Sequence, residues 1–140
     1  MATFNKYNCF VENLAEKVHN LQSDTLKFAL TNTAPTAADT VWNTTVYPAP
    51  VAANGYTAGG NSLTVSSSSQ TSGTYKLVIA DTVFTATSGG IGPFRYVVLY
   101  NSTASGAVIG YYDYGSSITL ADTETFTVDF DAANGVLTIA

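Results

Sequence analysis

The residues in this chain that could do chemistry are few, and none stands in a complete catalytic set. The one histidine, His19, would have to serve as base for any serine nucleophile, and no Gly-x-Ser-x-Gly turn accompanies it; Gly115-Ser116-Ser117 reads as an ordinary turn. Zinc needs three or four nitrogen or sulfur ligands, whereas Cys9 and His19 together supply two. Cys9 is therefore expected as a small apolar residue at the start of a helix, and His19 at a helix end or on the surface. The run Asp129-Phe130-Asp131 with Asn134-Gly135 partly imitates a calcium loop. It fails at the fifth position (Ala133), at the glycine position (Asn134) and at the twelfth (Ala140), so it reads as a turn. Asp113, Asp122, Glu124, Asp129 and Asp131 could pair for glycoside hydrolysis only if the fold set two of them at the right separation. They read more simply as single acidic residues on solvent faces. The glycines at 59–60 and 89–92 lack the lysine and helix start of a phosphate loop. The expectation is a protein with no catalytic residue, no metal and no cofactor, which is not an enzyme.

The binding-type residues are aromatic. Tyr111, Tyr112 and Tyr114 surround Asp113, and strand alternation sends Tyr112 and Tyr114 to one face and Tyr111 to the other. One set is expected in the core. The other is available as a platform for sugar or protein, since tyrosine is enriched in interfaces. Tyr56, in the glycine-rich run AANGYTAGG, is expected on an exposed loop. Phe4 and Tyr7 fall in an N-terminal arm, residues 1–7. These six aromatics form the candidate partner interface.

The elements that must position them follow from periodicity. Phe10, Leu14, Val18 and Leu21 recur at helical spacing, which predicts one amphipathic helix over residues 8–21. From residue 24 the period is two. Leu26, Phe28 and Leu30 predict a strand; residues 41–47 predict another, ended by Pro48 and Pro50. The serine-rich stretch 66–73 reads as a loop or an edge. The segment FRYVVLY at 94–100 is apolar on both faces except at Arg95, which predicts a central, doubly covered strand turning through 101–106 into 107–113. Residues 118–120 predict a short strand, 126–130 alternate cleanly, and Asp131 to Gly135 predicts a hairpin loop into 136–140. About nine short strands after one helix indicate a mainly β antiparallel sandwich or barrel over residues 24–140, in a single domain spanning 1–140.

Composition narrows the partners. Five basic residues oppose ten acidic ones, too few to neutralise a row of phosphates, so neither nucleic acid nor an anionic membrane is expected as partner. Charged residues make up 11% of the chain, far below the usual quarter or so, which leaves a surface of Ser, Thr, Asn and Gly suited to packing against another protein. No apolar run approaches a membrane span and the N-terminus has no apolar signal core. Synthesis in a cytoplasm is therefore expected, and the sequons at Asn43 and Asn101 read as chance matches in a Ser/Thr-rich chain.

The segments MATFNKYNCFVENLAEKVHNL, SDTLKFALTNTAP, GGIGPFRYVVLYN and TFTVDFDAANGVLTIA together resemble the cement (decoration) proteins of tailed bacteriophages, in particular the kind found on a short-tailed Bordetella phage. The resemblance covers nearly the whole chain. It implies a jelly-roll β-sandwich on the exterior of an icosahedral capsid, made in the bacterial host. Its partners would be the major capsid protein and a second copy of itself near two-fold positions. The alternative is a tail- or fibre-associated carbohydrate-binding sandwich that uses exposed tyrosines.

Overall fold

The computed structural model of the chain describes residues 2–140. Ten strands and one helix follow one another: β1 (Phe4–Lys6), α1 (Cys9–Ala15), β2 (Leu26–Thr31), β3 (Asn61–Ser62), β4 (Val65–Thr71), β5 (Thr74–Ile79), β6 (Thr82–Thr85), β7 (Ile91–Asn101), β8 (Ala107–Leu120), β9 (Thr125–Val128) and β10 (Leu137–Ile139). They make three antiparallel sheets, ordered β1-β8-β7-β2-β3, β10-β5-β4 and β6-β9. The protein is mainly β with one short helix. The main core joins all three: Phe28, Leu30, Phe94, Val97 and Leu99 of the large sheet meet Leu77, Ile79, Phe84 and Val128 of the smaller two.

The central strand β7 is apolar on both sides because both sides are covered. Its second face, with Val98 and Tyr100, packs with Tyr7, Ala29 and Val108 under the segment that follows β2. There Trp42 stacks on Tyr100, ring centres 4.4 Å apart and 13° from parallel. A bulge opposite Leu99 and Tyr100 shifts the phase of β8, so that Val108 and Tyr111 share this second face while Tyr112 joins the main core.

Several elements depart from their periodicity. The helix ends at Ala15, not at residue 21. Lys17 takes φ 65°, Val18 N–H donates to the Asn13 carbonyl and Lys17 N–H to the Leu14 carbonyl, a Schellman closure made with lysine in the position glycine usually holds. Phe10, Leu14 and Leu21 still reach the core, but Val18 stays exposed. His19, expected at a helix end or on the surface, lies beyond the end of the shortened helix and is buried at 5% exposure against Phe10. Residues 41–47 form only a single bridge, Val41 to Ala107, and then a turn in which the Asn43 side-chain oxygen accepts from the Thr45 and Val46 amides. Residues 107–113 and 118–120 are one long strand. Asp131 to Gly135 is a turn but not a hairpin, because β10 crosses to pair with β5 rather than with β9. The serine-rich stretch is the exposed edge strand β4, joined to β5 through Ser72 and Gly73, both at positive φ.

Candidate functional site

Two of the six candidate interface aromatics are core residues. Tyr7 is 0% exposed and Tyr56 is 3% exposed, so neither offers a free surface. The arm is not loose: β1 pairs with β8, Phe4 opposite Tyr112, and the Tyr7 amide donates to the Ile109 carbonyl. The Tyr47 hydroxyl donates to the Asp39 carboxylate, which leaves the Tyr7 hydroxyl to donate to Tyr47 at 3.1 Å. Burial, reinforced by that bond, pushes the Tyr7 hydroxyl far above its ordinary value. Tyr56 is folded under β2, where its hydroxyl accepts from the Leu30 amide at 3.0 Å. A glycine-rich loop gave no hint of burial, because the signal lies in a long-range hydrogen bond.

The remaining four divide as alternation requires. Tyr111 packs on Tyr7 at 5.3 Å on the second face. On the main face Tyr112 meets Phe4 at 5.5 Å and Phe130 at 6.1 Å, while Tyr114 stands edge-on to Phe126 at 5.7 Å and 74°. Tyr114 keeps 54% of its surface exposed because residues 114–117 bulge out of register between the Tyr96–Asp113 and Phe94–Ile118 pairs. Gly115, at φ +98°, makes that excursion possible. The main-face rings Phe4, Tyr112, Tyr114, Phe126 and Phe130 line a cleft of about 400 Å³ between β8, β9 and the 131–135 turn, with Thr127, Asp129 and Asp131 also in its lining.

A second concavity shares Phe4 with the first. Two edge strands from different sheets, β1 and β10, approach each other with α1 between them, and they bound a groove of about 620 Å³. Phe4, Phe10, Val11, Leu14, Leu137 and Ile139 line it, and Lys6 is its one charged residue. Val11 is 54% and Ile139 37% exposed, so the apolar surface is left open to solvent. Sequence reasoning missed this groove, since Val11 lies off the predicted helix stripe and the hairpin expected at 131–135 would have paired β10 with β9.

Among the described residues no group of three or more His, Cys, Asp or Glu side chains is placed to hold a metal ion, and no helix is long and apolar enough to cross a membrane. Comparison of the chain with protein families, with curated proteins and with solved structures finds no match.

Proposed function

We infer that this chain is a structural virion protein that binds the outer surface of an icosahedral phage capsid and clamps neighbouring major capsid proteins, with a second copy beside it near two-fold positions. The antiparallel sheets facing one another across a shared core are compatible with a jelly-roll-like sandwich, the fold the resemblance implies. The observation that carries the functional reading is the open apolar groove between β1 and β10, which sets exposed Val11 and Ile139 beside two strand edges whose outer sides lack a partner strand among the described residues. Such a surface offers apolar area and main-chain hydrogen bonds together, the combination that strand addition uses.

A cement protein stabilises a shell by binding the assembled lattice better than free subunits, and many modest contacts suffice when the sites are presented together. With so few charges, the contact is apolar and tolerates salt. The test is co-sedimentation of purified protein with undecorated capsids of the parent phage at low and high salt. Occupancy that persists in high salt is expected; protein that stays in the supernatant at both salt levels rules the function out.

A further inference from the structure

We propose that the aromatic cleft between β8, β9 and the 131–135 turn is a binding site for an uncharged pyranose sugar. A pyranose presents an apolar C–H face and an edge of hydroxyls, and it is held by an aromatic wall beside hydrogen-bonding groups that no protein partner already uses. The cleft has both parts. Its wall is made by Tyr112, Tyr114, Phe126 and Phe130, and Phe130 is backed by a near-parallel stack on Phe28 at 5.6 Å. Among the described residues, no hydrogen bond engages the Tyr112 hydroxyl, the Tyr114 hydroxyl or the Asp129 carboxylate. Burial pushes the Tyr112 hydroxyl up to about 12, so it stays protonated and able to donate as well as accept. Asp131, by contrast, is spent on its own turn, accepting from the Ala133 amide and the Asn134 side chain.

Size and charge narrow the ligand. About 400 Å³ lies at the small end of ligand sites, roughly 300–1,000 Å³, and suits one or two sugar rings rather than a long chain. The lining holds Asp129 and Asp131 and neither lysine nor arginine, so sialic acids, uronic acids and phosphorylated sugars are disfavoured. The cleft is separate from the β1–β10 groove except at Phe4, and sugar binding does not depend on the capsid reading.

The test uses the full chain with methyl glucopyranoside, methyl galactopyranoside and N-acetylglucosamine as probes, followed through the aromatic ring resonances by NMR. N-acetylneuraminic acid serves as the anionic control. At least one neutral probe is expected to bind in the millimolar range and to shift rings of the cleft but not Trp42. Tyr114→Ala, at an exposed position, is expected to weaken that binding about tenfold. Asp129→Asn, which keeps the shape, is expected to weaken it several-fold. No ring shift with any neutral probe, shifts unchanged in Tyr114→Ala, or equal binding of N-acetylneuraminic acid would overturn the proposal. So would loss of capsid co-sedimentation in Tyr114→Ala, which would make the cleft a protein contact instead.

Discussion

The Arg95 guanidinium grips the Asp113 carboxylate through two parallel hydrogen bonds, 2.7 Å from Nε and 2.9 Å from Nη2, across β7 and β8. The same carboxylate accepts the Gly115 amide at 2.8 Å, so one side chain ties the root of the bulge that lifts Tyr114 out of the sheet. The pair sits at the surface, where ion pairs add little to overall stability. Its effect is local positioning.

Asp113→Asn should therefore leave the melting temperature nearly unchanged while loosening residues 114–117. The Arg95 bond holds the Asp113 carboxyl below its usual range, with the Gly115 amide adding to the effect against a smaller desolvation cost. The ordering is present above about pH 4 and is lost as pH falls through the depressed value. Backbone relaxation of Gly115 and Tyr114 across that range checks it. A bulge equally rigid in Asp113→Asn and wild type would contradict the assignment.

His19 makes a second pH prediction. Asn101 donates to His19 Nδ1 at 3.2 Å and to Asp24 at 2.6 Å, which places the ring proton on Nε2, a buried atom with no partner among the described residues. Burial lowers the His19 value more than Asp24 raises it. A lowered folded value means that the unfolded chain binds the proton first, so stability is intact above about pH 6.5 and falls as pH drops toward the folded value. As this is the chain's one histidine, its C2 proton gives a single NMR titration. The midpoint should lie below 6.5, and a normal or raised midpoint would refute the burial.

Tyr47→Phe removes the hydroxyl that joins Tyr7 to Asp39 and leaves the Tyr7 O–H buried without an acceptor. The expected cost is about 2 kcal/mol in chemical denaturation. Asp39 reports the same link. Burial raises its carboxyl, but the bonds from Tyr47 and Thr36 outweigh that and hold it below the usual range. In Tyr47→Phe that depression should shrink. A denaturation midpoint within experimental error of wild type would show the chain of hydroxyls to be incidental.

Val11→Glu places a charge in the β1–β10 groove at a half-exposed position, so the fold should persist with its melting temperature little changed. Capsid binding in the co-sedimentation assay should fall by at least about tenfold, the consequence of burying an unpaired charge. Binding unchanged in this variant would move the contact surface elsewhere. Deleting residues 1–7 is a poorer probe, because it would strip β1 from β8 and Tyr7 from the core.

What the sequence made legible was whatever rests on alternation. FRYVVLY announced a strand covered on both faces, and Tyr112 and Tyr114 did part from Tyr111. What stayed hidden rests on contacts distant in sequence. The helix stops where Lys17, with no glycine to mark it, takes a left-handed turn, and His19 is then drawn inward by Asn101, far along the chain. Asn134-Gly135 carries the chemistry of a hairpin turn, yet the strand after it finds β5 instead, since nothing local fixes a pairing partner. The groove arises from two sheet edges that meet only in three dimensions.

The most direct test of the central claim is a cryo-electron microscopy image of the phage particle proposed to carry this chain, at resolution sufficient to fit a single domain. Protrusions of this size on the capsid exterior at two-fold positions, with the β1–β10 groove turned toward a neighbouring protein, are the predicted result. Density for this chain on the tail, or a bare capsid exterior, would contradict it.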